Sequence, residues 1–146
     1  MPPRLLGLDH GDRRIGVAIS DEMGLTAQPL LTLYRTNRRN DLRSLARLVR
    51  RHGCSAIVVG LPLHLSGDVG PRALAAKEFA STLETELHLP VYLWDERLST
   101  AQAHRLLDAA ERPANTRKQV IDQVAAVLIL QSYLDAQHNL RPGKPG

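Results

Sequence analysis

The chain is poor in cysteine and in aromatic rings, and it has no long apolar run. Its one cysteine, Cys54, can neither close an internal disulfide nor build a zinc site of the multi-cysteine kind. A disulfide-stapled secreted scaffold is thereby excluded, and a reducing cytoplasm is the expected compartment. No stretch approaches the roughly 20 apolar residues that cross a bilayer, and the opening Met1-Pro2-Pro3-Arg4 lacks the apolar core of a signal peptide. No membrane association is expected. The aromatic residues are Phe79, Trp94, Tyr34, Tyr92 and Tyr133, too few for a platform of stacked bases to be the main binding device.

What the chain does have is the composition of an ordinary globular domain. Its 146 residues are 43% hydrophobic and 23% charged, enough for one proper core and too few for two full ones. Lys and Arg number 19 against 15 Asp and Glu, a formal charge of +4 with a pI near 9.7, which permits a polyanionic partner. Residues 1–138 read as a single domain, and the Pro/Gly/basic stretch 139–146 as a disordered tail.

Hydrophobic periodicity gives the order of elements. Arg4–Asp9 and Arg14–Ser20 are short alternating runs flanking the turn-forming His10-Gly11-Asp12-Arg13, the pattern of a β-hairpin. A third strand is expected near Gln28–Arg35. Leu42, Leu45, Leu48 and Val49 mark a helix with Gly53 at its C-terminal cap. Ser55–Leu61 is β-branched and almost wholly apolar, as a strand covered on both faces must be. Ala76, Phe79, Ala80, Leu83 and Leu87 mark a second helix, closed by Pro90. Val91–Glu96 reads as the last strand, and Ser99 with Gln102 as the capping box of another helix. Arg112–Gln119 reads as a mobile basic loop before a final helix carrying Ile121, Val124, Ala125 and Leu128 on one stripe, widened by Val127, Ile129 and Leu130. Strands that later alternate with helices imply parallel pairing and helices on both faces of one sheet. The fold class is α/β.

The informative chemistry is acidic. Asp9 ends the first strand, Asp95 and Glu96 end the last, and Asp122 is placed by this reading in the first turn of the final helix, where the helix dipole favours negative charge. Catalytic sites of open α/β sheets gather beyond the carboxyl ends of the strands, so these groups can converge although distant in sequence. Hard oxygen donors without a His or Cys cluster suit Mg²⁺ or Mn²⁺ rather than zinc. Taken singly, an Asp at a strand end is more often a turn residue than a catalyst. Asp12 and Asp21 read as turn formers, His10 as a structural loop residue and Cys54 as a small buried hydrophobe. Gly67-Asp68-Val69-Gly70 is not a phosphate-binding P-loop, because Pro71-Arg72 follows where Gly-Lys-Ser/Thr is required.

At these same residues the sequence resembles a known family. Gly7-Leu8-Asp9-His10-Gly11-Asp12-Arg13-Arg14-Ile15-Gly16-Val17-Ala18-Ile19-Ser20-Asp21 looks like the opening motif of the bacterial YqgF/RuvX family. Ile57–Pro62 with Gly70–Ala73, Asp95–Thr100, and Ile121-Asp122 with Ala125-Ala126 match in order. The family comprises RNase H-like nucleases described as Holliday junction resolvases and as nucleases maturing the small-subunit ribosomal RNA precursor. The resemblance implies an RNase H-like fold with a five-stranded mixed sheet, three antiparallel strands then two parallel, flanked by helices. It implies an acidic triad at Asp9, Glu96 (or its neighbour Asp95) and Asp122, holding Mg²⁺ or Mn²⁺, with two ions expected. It also implies products with 5′-phosphate and 3′-hydroxyl ends. His64 departs from the family, where Asn is expected after Gly-Leu-Pro.

Arg13, Arg14, Arg72, Arg97, Arg117 and Lys118 are candidates to line a phosphate track, although basic residues are as often a solvated face. The expected partner is nucleic acid, structured RNA or branched DNA, and the chain reads as a monomer or a homodimer. Two rivals stand beside the nuclease. One is a noncatalytic nucleic-acid-binding module of the same fold, associated with transcription. The other is the actin, chaperone and sugar-kinase superfamily, which needs two such domains around a nucleotide.

Overall fold

The computed structural model describes residues 4–64, 66–98 and 114–139. Five strands, β1 (Arg4–His10), β2 (Arg14–Ser20), β3 (Ala27–Tyr34), β4 (Cys54–Leu61) and β5 (Val91–Asp95), form one sheet in the order β3-β2-β1-β4-β5. β1 pairs antiparallel with β2 and parallel with β4; β2–β3 is antiparallel and β4–β5 parallel. This is the mixed sheet that the family resemblance implies. The hairpin closes through Gly11 N donating to Arg14 O at 2.9 Å.

Side chains of β1 alternate between two cores, as the pleat requires. Leu6 and Leu8, with Ile15, Val17, Ile57 and Val59, face α1 (Arg38–His52) and α2 (Pro71–Leu87). Ala18 and Val58 face the opposite layer, α3 (Ala114–Asn139), through Ala126, Ile129, Leu130 and Leu134. Asn37 caps α1 by accepting from Asn40 N at 2.8 Å, and Gly53 ends it in the left-handed region (φ 63°). Cys54 is buried in the first core, where burial pushes its thiol up to about 11, so it behaves as a hydrophobe.

Several expectations change here. The final helix begins at Ala114, so Ala114–Gln119 are helical rather than a loop. Arg, Lys and Gln are good helix formers but carry no apolar stripe, so periodicity could not see this segment. Asp122 therefore lies more than two turns inside α3, beyond reach of the N-terminal dipole. The most buried stripe of α3 runs through Ala126, Ile129, Leu130 and Leu134; of the expected Val124, Ala125 and Leu128 only Leu128 is buried, and the Ile121 side chain lies outside the described residues. β5 ends at Asp95, and Glu96 opens a single 3-10 turn, Glu96–Leu98. Asn139 ends α3 rather than opening the expected tail, and the capping-box helix, Arg112, Pro113 and residues 140–146 lie outside the described residues. Among the described residues, no helix is long and apolar enough to cross a membrane.

Candidate active site

Asp9 projects from the same face of β1 as Gly7, toward α3. Its cross-strand partner on β2 is Gly16, and on the other side Gly60 follows the Leu8–Val59 pair of β4. Asp9 thus stands between two residues without side chains, and each vacancy is used. A Cβ on Gly16 would collide with the carbonyl oxygen of Asp122, so the bare backbone there lets α3 approach until Asp122 sits beside Asp9. A Cβ on Gly60 would collide with Ile129 Cδ1 and come within 2.9 Å of Glu96 Cγ, so the Glu96 side chain lies across Gly60. Three carboxylates from β1, α3 and the turn after β5 are brought to one place.

Their electrostatics record the crowding. The Asp9 carboxyl is raised from 3.8 to about 6, first by burial and then by the negative charge of Asp122; Arg72 opposes both. Glu96 is raised from 4.5 to about 7 by burial, then by Asp9, again with Arg72 opposing. Asp95 behaves differently. Arg97 donates to it from Nε and from Nη2 (2.7 Å to Oδ2), which holds its carboxyl below the usual range. Of the two neighbours, Glu96 is the one that shares a field with Asp9.

Asp9, Asp122, Gly11, Asp12, Arg13, Arg14 and Arg72 line one cleft of about 310 Å³. Arg13 reaches it from the hairpin turn and Arg14 from the first position of β2. Arg72 comes from the first turn of α2, which starts with Pro71 after the extended Gly70. Arg14 Nε donates to Asp122 Oδ2 at 2.6 Å, and this ion pair takes over the role first assigned to the helix dipole. Arg97 lies with Asp95 and within 3.5 Å of the Cβ position of Gly67, against the loop before α2. Arg117 and Lys118 fall in the first turns of α3.

Divalent ions suit this donor set. Besides burial, the charge of Asp122 raises Asp9 and that of Asp9 raises Glu96, and a bound dication relieves such repulsion. Yet among the described residues no three acidic or histidine side chains already stand as a cage, and one oxygen of Asp122 is held by Arg14. The carboxylates share a neighbourhood but are not preassembled around an ion.

Sequence reading missed Gly16 and Gly60 as site-shaping residues. A signal was available, because each interrupts an otherwise apolar strand. It read His10 as structural, and the ring does stack on Phe79 at 4.4 Å on the face turned away from Asp9, its pKa lowered to about 4 by burial and then by Arg35. Asp21 is a turn former, accepting from Leu25 N and Thr26 N.

Comparison with known proteins agrees with this architecture. The RuvC of Thermus thermophilus in complex with a Holliday junction substrate aligns with a TM-score of 0.60 over 94% of this chain and 97% of its own, at 14% identity. The fowlpox virus resolvase bound to Holliday junction DNA aligns at 0.56, covering 94% and 99%, also at 14% identity. At such identities the likeness is one of fold, the RNase H fold of these resolvases. Sequence relatives are nearer. Proteins of Moorella thermoacetica (52% identical, 90% of this chain and 94% of theirs) and Myxococcus xanthus (50%, 91% and 88%) each bear the name "Putative pre-16S rRNA nuclease". The family model described as "RuvX: Holliday junction resolvase" matches residues 3–136, and with relatives at half identity along nearly the whole length the chain belongs to the RuvX family.

Proposed function

We propose that this chain is a divalent-metal-dependent endonuclease that hydrolyses phosphodiester bonds in nucleic acid, acting on the small-subunit ribosomal RNA precursor or on Holliday junctions. The observation that carries the reading is the gathering of Asp9, Glu96 and Asp122 beside a cleft walled by Arg13, Arg14 and Arg72. The names of the sequence relatives favour the ribosomal precursor. The reducing cytoplasm expected from the single cysteine is the compartment of either substrate.

Asp9, Glu96 and Asp122 would hold Mg²⁺ or Mn²⁺, which supplies a hydrolytic nucleophile at neutral pH and charge stabilisation at the leaving oxygen. The protein's own contribution is binding and orientation. Arg13 and Arg72 present cations to backbone phosphates entering the cleft and fix the strand's register without reading its sequence. Arg72 also lowers the cost of ionising Asp9 and Glu96, opposing the burial that raises both. Burial of Asp9 strengthens each of these interactions.

The test is a side-by-side cleavage assay with Mn²⁺ on a four-way DNA junction and on an RNA mimic of the 16S precursor end. It is read with EDTA controls, end-group analysis and the protein's mass in solution. The expected result is Mn²⁺-dependent cutting that leaves 5′-phosphate ends and is abolished by EDTA. Symmetric junction cutting calls for a two-fold dimer, whereas single-strand trimming is open to a monomer. Tight binding of both substrates with cleavage of neither would instead establish the noncatalytic module.

A further inference from the structure

The Arg14–Asp122 contact ties a phosphate-binding candidate to a metal-binding one. We infer that Arg14 is an exchangeable counter-ion: it holds Asp122 while the metal site is empty and passes to a substrate phosphate when an ion takes Asp122. This inference rests on the nuclease reading above and extends it from which residues act to the order in which they become available.

Three observations lead there. The contact is short and charge-assisted, Nε to Oδ2 at 2.6 Å, and both side chains are partly buried at 28% and 16% exposure, so it is not a solvated surface pair of negligible strength. Asp122 is also one of the charges that raise Asp9, so with no cation present Arg14 directly pairs one of the crowded carboxylates. And the described residues hold no preassembled acidic cage, although the three carboxylates share one field. An ion entering the site must therefore compete with a guanidinium for Asp122. Arg14 lines the same cleft as Arg13 and Arg72, so once displaced it remains where a phosphate will lie, with its planar fork suited to two phosphate oxygens.

Metal binding then frees an arginine for the strand, and a bound strand frees a carboxylate for the metal. By linkage each raises the affinity of the other by the same factor.

The experiment compares Arg14→Gln with Arg13→Gln, which removes the same charge from the same cleft but not the ion pair. Mn²⁺ affinity is read by electron paramagnetic resonance without nucleic acid. Arg14→Gln should bind Mn²⁺ about tenfold more tightly than wild type, the scale of one charge-assisted contact, and Arg13→Gln less than about twofold more tightly. Equal effects of the two variants, or weaker binding by Arg14→Gln, overturn the inference and leave the nuclease reading intact. Failure of every protein to bind Mn²⁺ overturns both. A second readout is the salt dependence of single-stranded RNA binding, with Ca²⁺ replacing the catalytic ion. The Arg14→Gln slope should be shallower by about 0.7, one phosphate contact, with Ca²⁺ and unchanged in EDTA, where wild-type Arg14 is still engaged by Asp122. The same slope change in both buffers means a permanent phosphate contact and refutes the exchange.

Discussion

Asp9→Asn is expected to lower kcat by at least about 10³-fold while making the metal-free protein more stable at pH 8. Both effects come from one cause. Asp9 is the central acid, coupled to Asp122 on one side and to Glu96 on the other. Neutralising it removes the middle donor of the proposed metal site, and loss of about 4 kcal/mol of transition-state stabilisation is a thousandfold in rate. In the empty site the same carboxylate is a burden. Its folded-state value of about 6 stands above the ordinary 3.8, so the folded protein binds a proton that the unfolded chain has already lost. The stability associated with that proton is complete below about pH 4 and lost as pH rises through 6. Asparagine is neutral throughout. The variant's advantage in EDTA should therefore be near zero at pH 4 and grow to at most about 3 kcal/mol at pH 8, two units at 1.36 kcal/mol each. His10, lowered to about 4, acts in the opposite direction, its stability being lost as pH falls through 4. It is present in both proteins and cancels in the difference. Denaturant melts at the two pH values, with and without Mn²⁺, check this; Mn²⁺ should stabilise wild type and not the variant. Undiminished Mn²⁺-dependent cleavage by the variant would sink the assignment.

The sheet was legible in the sequence because each strand writes its own pattern. Alternation in Arg4–Asp9 and Arg14–Ser20 and the solid apolar run of β4 are local signals that needed no tertiary help. The same period of two places Asp9 on the Gly7 face. What stayed hidden depends on register between distant segments. The Arg14–Asp122 contact joins residues 108 apart in sequence. Glu96 meets Asp9 only because β4, carrying Gly60, lies between their two strands. The start of α3 was hidden for a different reason. Its first turns are polar, so the amphipathic signal begins only after them, and Asp122 lies beyond the dipole that the sequence pattern assigns to it. The family motif was more informative than the pattern because it joins residues that no local period connects.

The two glycines beside Asp9 should part company under mutation to alanine. At Gly16 the new methyl meets main chain, the carbonyl of Asp122, and main chain of a packed helix cannot yield alone. α3 must lift from the sheet, disturbing the contacts of Ala126, Ile129 and Leu130 together. The expected loss is about 3 kcal/mol, at the upper end for overpacking, or a fall in Tm of about 6–12 °C for a domain of this size. Activity should fall with it, because Asp122 rides on the displaced helix. At Gly60 the atoms nearest the new methyl belong to side chains, Ile129 Cδ1 and the Glu96 stem, and these can rotate away. Gly60→Ala should cost about 1 kcal/mol yet still reduce kcat by ten- to a hundredfold, on the order expected when a reacting group shifts by about 1 Å. Thermal melts paired with Mn²⁺-dependent cleavage rates separate the cases. Gly16→Ala loses stability and rate together, while Gly60→Ala loses rate with its fold nearly intact. If Gly60→Ala cleaves at the wild-type rate, Glu96 does not act from the position it holds across Gly60, and Asp95 becomes the acid to test in its place.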